Sequence, residues 1–516
     1  MPGRRTILKA AAGSLFTSAP FAWVWAQSDG AARLLRAPKH ALVIGNAGYR
    51  NVPLLVNPSN DARAIASALG DSGFAVTTVL DADRARMAAA IEAHVAALQS
   101  RKSVGVFYYA GHGVQLAWRN FLLPVDAAIG KLDDIPAQCL DVTELIAGIK
   151  RAANPMNVII LDACRENPFG GVRVEQKGLS QMDAPSGTLL AYATAPGNLA
   201  SDGAGANGLY TENLLREMRV RDAKIEDVFK RVRLNVRLAS KGAQIPWEST
   251  SLEEDFYFNP PEQLRKRSQE EEERAFKQER EAFEKARDSR DLAQIEGYLR
   301  AYPSGRFVEF AQLLLERELA SKGEKPVEIA PSQGNPNTSG SARADTLYKV
   351  GDQFVYQNHD LRLGTSTTQR QTVTSVSDLE VVFNNGRAVV DPLGNLIQSG
   401  DGRRYTPRQE IPLEYVVGKR WSTRFDVVSG GEGTADFDFR IAAREFITVP
   451  AGRFDCFRIE GRGVNNHMFR PPVDLSLTFW RAPALVRRPI QVEEKKWHRQ
   501  QVTFWERREL VSFRQT

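Results

Sequence analysis

Two short apolar segments each lead directly to a side chain that could do covalent chemistry. Residues Val104–Tyr109 precede His112, and residues Asn157–Leu161 precede Cys164. A parallel strand buried on both faces is continuously apolar, and the functional groups of open α/β sheets lie at the carboxyl ends of such strands. We therefore expect both segments to be strands, with His112 and Cys164 at one edge of a single sheet.

Elimination points to the same pair. The region that alternates strand and helix patterns contains two cysteines, Cys139 and Cys164; of its three histidines, His40 opens a predicted strand and His94 lies in a helical pattern. A free thiol is mostly protonated at neutral pH, so a nucleophilic cysteine needs a base or a positive neighbour. The arrangement predicts Cys164 as nucleophile and His112 as its general base.

The glycines beside His112 indicate how an oxyanion would be held. A residue without Cβ lets a substrate backbone approach closely and leaves its N–H available to a developing oxyanion. We expect the N–H groups of Gly113 and Cys164 to form this oxyanion hole.

Six segments between residues 38 and 260 occur in the order found in a known family. They are Ala41–Asn46, Asn60–Ala62, Tyr109–Gly113, Leu161–Arg165, Ala191–Gly197 and Asn207–Thr211. With these motifs the region resembles the caspase-like cysteine peptidases, and within them the bacterial relatives of metacaspases. The 52 residues that separate His112 from Cys164 are similar to the roughly 50-residue spacing of caspases. The resemblance implies a cysteine endopeptidase that works through an acyl-enzyme.

The residue two before the nucleophile, Asp162, matches the metacaspase pattern. In that family this acid and another early in the chain, which matches Asp61 here, form a pocket for a basic P1 side chain, so the resemblance implies cleavage after Arg or Lys. Two carboxylates in a cleft suit a cation and repel a P1 carboxylate. The alternatives are structural: Asp61 as an acid in the first turn of a helix capped by Asn60, and Asp162 as a hydrogen-bond partner for the loops around Cys164.

The segment Glu166–Ser186 separates the nucleophile strand from the next one and contains Arg173 and Lys177. In the resembled family such a segment divides the large and small subunits. With a basic P1 preference, self-cleavage after Arg173 or Lys177 is a hypothesis, and an ordinary flexible loop is the alternative.

The rest of this region predicts a caspase-like α/β fold with a mostly parallel sheet flanked by helices, because apolar strand patterns alternate with helical ones. The predicted strands are His40–Asn46, Phe74–Leu80, Val104–Tyr109, Asn157–Leu161 and Gly187–Ala195, with Asp255–Phe258 as a last short strand. The predicted helices are Asp61–Gly70, Arg84–Gln99, Asp141–Ala152, Leu209–Met218 and Ile225–Leu238.

Competing chemistries have little support in the motifs. The sequence has no dinucleotide fingerprint, Walker-type loop, Gly-x-Ser-x-Gly elbow, His-Glu-x-x-His or Cys-x-x-Cys pattern. The site chemistry therefore requires no metal or organic cofactor. Calcium activation is common among metacaspases, but Asp133 and Asp134 lack the ordered ligand series of a calcium loop, so calcium stays open.

The N-terminus, residues 1–26, predicts export by the twin-arginine route to the periplasm or beyond. Arg4 and Arg5 precede the apolar stretch Ala10–Trp25, and Ala26 follows as a cleavage position. Because this stretch is shorter than the roughly 20 residues that span a bilayer, no stable transmembrane anchor is expected.

Charge and cysteine content do not indicate a nucleic-acid-binding protein or a disulfide-stabilised one. Loss of residues 1–26 removes Arg4, Arg5 and Lys9, which lowers the formal net charge from +6 to +3; we expect no nucleic-acid partner. Three cysteines in 516 residues do not make a disulfide framework.

Composition changes after Pro260. Residues 262–321 combine a charged helix with a tetratricopeptide-like helical hairpin, and residues 322–345, rich in Pro, Ser, Gly and Asn, predict a disordered linker. Residues 346–516 predict an antiparallel β-domain, whose expected role is to bind envelope material or a protein partner.

The sequence thus predicts an exported cysteine endopeptidase whose substrates are peptides or proteins with Arg or Lys at P1. A non-catalytic envelope protein that uses a degenerate caspase-like domain for binding is the main alternative. An α/β ligand-binding receptor is a more distant one. The presence of both His112 and Cys164 favours the enzyme.

Overall fold

The computed structural model describes residues 30–164, 168–169, 171–172, 178–196, 205–262, 269–324, 334–429, 433–467, 470–499 and 501–516. Of Cys164 it describes the backbone. The predicted export signal at residues 1–26 lies outside these ranges, as do Arg173 and Lys177.

The first half of the described chain is built around one mixed sheet. Its main strands lie in the order β2-β1-β3-β6-β7-β8, with every neighbouring pair parallel except β7 and β8. This confirms the predicted mostly parallel sheet. The strands are β1 (Lys39–Gly45), β2 (Ala75–Leu80), β3 (Val104–Leu116), β4 (Arg119–Leu122), β5 (Leu140–Asp141), β6 (Met156–Cys164), β7 (Thr188–Tyr192) and β8 (Trp247–Thr250).

Helices cover both faces because successive strand residues point to opposite sides of the sheet. Val43 and Tyr108 pack in one apolar cluster, and their neighbours Leu42 and Phe107 pack in the other. The helices are α1 (Pro58–Asp71), α2 (Arg84–Arg101), α3 (Asp134–Gln138), α4 (Val142–Ala152), α5 (Leu209–Met218) and α6 (Ile225–Ala239). Helices α1, α5 and α6 cover the first face, and α2 and α4 cover the second.

Two local predictions in this region are wrong. The last strand is β8 rather than Asp255–Phe258: Tyr257 makes only an isolated bridge to Lys224, while Phe256 packs in the core. Helix α1 begins at Pro58, three residues earlier than predicted, with Asn57 rather than Asn60 at its N-cap position. Proline suits this first helical position because its missing N–H would have no partner there.

The second half begins with three helices, α7 (Gln269–Ser289), α8 (Leu292–Ala301) and α9 (Val308–Ser321). Phe283 of α7 is buried and stacks on Phe307 with ring centroids 4.8 Å apart. The charged helix therefore has one apolar side, and that side packs on the helical hairpin. The same apolar cluster continues into the β-rich part through Phe437 and Leu413.

The β-rich part is antiparallel throughout its described residues, as predicted. Twelve of its strands close into one continuous sheet in which β10 pairs with β22, while β9 and β16 form a separate pair. The strands are β9 (Ser341–Arg343), β10 (Gln353–Asp360), β11 (Thr365–Val376), β12 (Val381–Phe383), β13 (Ala388–Val390), β14 (Leu396–Gln398), β15 (Arg404–Tyr405), β16 (Glu414–Val416), β17 (Arg420–Ser429), β18 (Thr434–Val449), β19 (Gly452–His467), β20 (Arg470–Arg481), β21 (Gln491–His498) and β22 (Gln501–Arg514).

The prediction of a disordered linker at 322–345 is wrong for residues 334–344. This stretch includes β9, and Asn335 within it is only 7% exposed. Its polar side chains, which indicated disorder by composition, make hydrogen bonds to the first half of the chain. Residues 325–333 lie outside the described ranges.

None of the helices within the described ranges has the length and apolar character needed to cross a bilayer.

The contact between His40 of β1 and the buried His94 of α2 gives a prediction for acid stability. The Nδ1 atoms of His40 and His94 lie 2.9 Å apart, and burial, with a smaller effect of His40, lowers the pKa of His94 to about 3. Because the unfolded chain takes up this proton near pH 6.5, His94 costs no stability above that pH. Between pH 6.5 and 3 it lowers the free energy of unfolding by at most about 1.4 kcal/mol per pH unit.

Urea unfolding of the wild type and His94→Gln at pH 7 and pH 5 measures this contribution. We expect the wild type to lose more stability than the variant between the two pH values. An equal loss in both proteins would contradict the assignment.

Candidate active site

His112 lies inside a strand rather than after one, which corrects the sequence expectation. Strand β3 pairs with β1 as far as Ala110 and with β4 from Gly113 onward. His112 falls at this change of partner, where β1 has ended and β4 begins. His112 thus lies in the gap between the partner strands β1 and β4, at the rim of the sheet.

The His112 ring is held on two sides by the loop that follows β1. Its Nε2 lies 2.8 Å from the carbonyl oxygen of Pro53, and its ring centroid lies 4.6 Å from that of Tyr49. Since a carbonyl oxygen only accepts, this bond assigns the proton to Nε2 and, in the neutral ring, leaves the basic lone pair on Nδ1.

Two tyrosines fix the backbone of the same residue. The His112 N–H donates to the Tyr49 hydroxyl at 2.8 Å, and the Tyr109 hydroxyl donates to the His112 carbonyl at 2.8 Å. Burial raises the pKa of Tyr109 well above its ordinary value, so its phenol remains a donor. Gly111 leaves room for these hydroxyls: a Cβ there would lie 2.6 Å from each, and its φ of +155° disfavours other residues.

The backbone of Cys164 lies directly across from His112. They are partners in the parallel pairing of β3 and β6, and Cys164 is the last residue of β6. The two other cysteines, Cys139 and Cys456, are buried, and burial raises the pKa of each thiol to about 12. Neither of these thiols readily forms a thiolate.

The Gly113 N–H is directed toward the β6 side of β3. The His112 carbonyl accepts from Leu123 N–H on the β4 side. Because successive residues of a strand direct their N–H and C=O groups to opposite edges, the Gly113 N–H points the other way. Space above Gly113 is limited, since a Cβ would lie 2.9 Å from the Cβ of Ala163 and 3.2 Å from Cδ2 of Leu179. The glycine is thus needed for packing at this position.

Asp61 is a buried acid in the first turn of α1. Its Oδ1 accepts hydrogen bonds from Asn207 Nδ2 at 2.8 Å and from the Gly208 N–H at 3.0 Å. Gly208 is the N-cap residue of α5, and the N-terminal end of a helix favours a nearby negative charge. The carboxylate therefore ties the start of α1 to the start of α5.

Asp162 reaches the same helix start from β6. Its Oδ2 accepts from Thr211 Oγ1 at 2.7 Å and lies 3.3 Å from the Tyr108 hydroxyl, which is itself 2.7 Å from Thr211 Oγ1. Burial raises the pKa of Tyr108 strongly, and the charges of Asp162 and Asp61 both add to this. The structure thus brings the two predicted pocket acids to the start of α5, where Asp162 also contacts the Tyr108 hydroxyl.

Four of the residues that shape this region carried no assigned role in the sequence. Tyr49 and Pro53 orient His112, and Tyr108 and Thr211 bind Asp162. A backbone carbonyl has no sequence signature, so Pro53 could not be found that way. Thr211 had a signal, because it ends the motif Asn207–Thr211.

Within the described ranges, no group of three or more His, Cys, Asp or Glu side chains is placed to hold a metal ion. Asp134, one of the two acids considered for calcium, accepts from the N–H groups of Gly130 and Lys131 at the start of α3.

Comparison with known proteins places this region in a family. Residues 38–257 match the model of the caspase domain. Over 194 residues the chain is 28% identical to mucosa-associated lymphoid tissue lymphoma translocation protein 1 of Homo sapiens, covering 37% of this chain and 23% of the human protein. The Mus musculus homolog is also 28% identical over 194 residues, with 37% and 22% covered. The chain spans less than a quarter of the length of either relative.

The family match covers the sheet, the helices on its two faces, and the rim where His112 faces the backbone of Cys164. Residues 38–257 therefore form a caspase-like domain.

Proposed function

We propose that the protein is a cysteine endopeptidase that cleaves after Arg or Lys, with Cys164 as nucleophile and His112 as general base and acid. The observation that carries the proposal is the pairing of His112 with Cys164 across β3 and β6, with the His112 ring oriented by Pro53. A base must lie within reach of its nucleophile and be oriented by a third group, and the Pro53 carbonyl meets the second requirement.

In the first half-reaction, His112 Nδ1 takes the thiol proton and the Cys164 thiolate attacks the scissile carbonyl carbon. The C–S bond forms while the carbonyl electron pair moves to oxygen, where the N–H groups of Gly113 and Cys164 donate to it. As the C–N bond breaks, Nδ1 returns its proton to the leaving amine. In the second half, Nδ1 takes a proton from water and the water oxygen attacks the thioester carbon. The C–S bond then breaks to release the acid, and Nδ1 returns its proton to the Cys164 sulfur.

The pocket for the P1 side chain is proposed at Asp61 and Asp162. Both acids hydrogen-bond residues at the start of α5, and Tyr108 interacts electrostatically with both of them. A guanidinium or ammonium group that enters here is stabilised by charge-assisted hydrogen bonds. In the loop that holds Pro53, Leu54 and Val56 are 71% and 77% exposed, so apolar side chains are available there for contact with a substrate.

The test is hydrolysis of matched fluorogenic peptides with Arg, Lys or Asp at P1 by the reduced protein from Gln27 onward, with and without calcium. The blank is Cys164→Ala. We expect turnover after Arg or Lys that is absent in the blank. Cleavage after Asp would overturn the pocket, and silence under every condition would overturn the enzyme and favour a binding role for the caspase-like domain.

A further inference from the structure

We propose that residues 334–343, which we call the arm, are a positioning element of this active site. The arm follows α9 in the sequence and docks on residues 178–183, which are described and lie between Cys164 and β7 in the sequence. This inference rests on the proposed function and adds a role for the second half of the chain.

The arm binds this stretch first through a buried amide. Asn335 Nδ2 donates to Ser180 Oγ and to the Gln181 carbonyl oxygen, each at 2.9 Å. The Asn335 Oδ1 accepts from the N–H of Asn337 at 2.9 Å, which fixes the amide orientation. Because Asn335 is 7% exposed and Ser180 is 3% exposed, loss of these bonds would remove hydrogen bonds from buried polar groups.

A second set of bonds surrounds Asp183. Its N–H donates to the Asn337 carbonyl at 2.9 Å, and its carboxylate accepts from Thr338 Oγ1 at 2.6 Å and from the Ser339 N–H at 2.7 Å. Backbone and side chain of one residue are thus both engaged by the arm. Such a set of bonds specifies one register of docking.

The same stretch packs directly on the catalytic strands. Leu179 is 1% exposed, and its Cδ2 lies 3.2 Å from the position of a Cβ on Gly113. Asn120 of β4 holds Ser180 from the other side, donating to its carbonyl at 2.9 Å and accepting from its N–H at 2.6 Å. Displacement of residues 178–183 would therefore disturb Gly113, the proposed oxyanion donor next to His112.

The far end of the arm is fixed to the second half of the chain. Strand β9, at Ser341–Arg343, pairs with β16, and Arg444 of the closed sheet donates to the Ser339 carbonyl at 2.7 Å. Strand β16 is in turn linked to the caspase-like domain, because Glu414 forms an ion pair with Arg233 of α6 at 2.7 Å. The arm is held at both ends, so it can transmit the position of the second half to the site.

This arrangement also bears on self-cleavage. A cut after Arg173 or Lys177 would separate residues 178–183 covalently from the strand that ends at Cys164. The arm would keep them in place through the Asn335, Thr338 and Ser339 bonds. The arm thus keeps Leu179 packed against Gly113 whether or not the loop is cut.

The test compares full-chain variants on the Arg peptide. We expect Asn335→Ala to lower kcat about tenfold with KM within about twofold, because misplacement of a reacting geometry acts on kcat. Thr338→Val loses the hydroxyl, and we expect its kcat to be about threefold lower than that of the wild type. Thr338→Ser keeps the hydroxyl, and we expect its kcat to match the wild type. Ser339→Ala is the matched control, since Ser339 contacts Asp183 and Arg444 through its backbone.

Wild-type kcat in both Asn335→Ala and Thr338→Val would overturn the arm alone and leave the peptidase standing. If the wild type itself does not hydrolyse the Arg peptide, the proposed function fails. Hydrogen exchange of the backbone amides then tests whether the arm positions the site. Faster exchange in Asn335→Ala at residues 178–183 and also at 113–116 supports it. Faster exchange confined to residues 178–183 overturns the proposed role of the arm. The role is also overturned if kcat falls only in proportion to a lowered unfolding midpoint and falls by the same factor in Thr338→Ser.

Discussion

Replacing Cys164 or His112 with alanine is expected to lower kcat/KM for an Arg peptide by roughly 10³-fold or more. In the proposed mechanism Cys164 forms the acyl-enzyme, and His112 takes the thiol proton and returns it to the leaving amine. Because the two residues act as one unit, the double variant should have a kcat/KM no lower than that of the less active single variant. Steady-state hydrolysis by all four proteins measures this.

The backbone bonds of His112 make the experiment interpretable. Its N–H and C=O are held by Tyr49 and Tyr109, and these bonds do not involve the imidazole, so His112→Ala should keep the strand in place. His359→Ala, a histidine on β10 of the closed sheet, is the matched control and should retain wild-type activity. Losses that multiply in the double variant would show that the residues act independently and contradict the dyad.

Much of the fold and of the site could be predicted because the relevant signals are local. The apolar runs that became β1, β3 and β6 and the helix pattern of α5 are properties of short windows. Apart from the C-terminal end of β3, all lie within a few residues of their predicted bounds. His112 and Cys164 were placed at one rim for the same reason. What a window could not show was that β3 runs on to Leu116, since this depends on its change of partner from β1 to β4.

Other parts depend on contacts between segments distant in sequence. The Pro53 carbonyl orients His112 through a main-chain atom, which any residue type could have supplied. Residues 334–344 have the composition of a disordered linker, yet their Asn, Ser and Thr side chains match polar groups at 178–183. Composition measures the apolar area that a segment can bury, and it does not register hydrogen bonds to a surface elsewhere in the chain.

Removing one charge from the proposed P1 pocket is the second change with a large expected effect. Asp61→Asn and Asp162→Asn should each lower kcat/KM for Arg and Lys peptides by about 10²-fold, the scale of losing one partner of a buried charge pair. Asparagine keeps an acceptor oxygen for Gly208 or Thr211, so the hydrogen bonds that join these positions to α5 can survive. The change thus removes charge more than structure.

The ratio of kcat/KM for an Arg peptide to that for its citrulline counterpart separates pocket from scaffold. Citrulline has the shape of arginine without the charge, so structural damage lowers both rates and leaves the ratio unchanged. Loss of the pocket charge lowers the ratio by about 10²-fold. Asp71→Asn, at the exposed end of the same helix α1, should keep the wild-type ratio. An unchanged ratio in both pocket variants would assign Asp61 and Asp162 to holding α5 and require another origin for P1 selectivity.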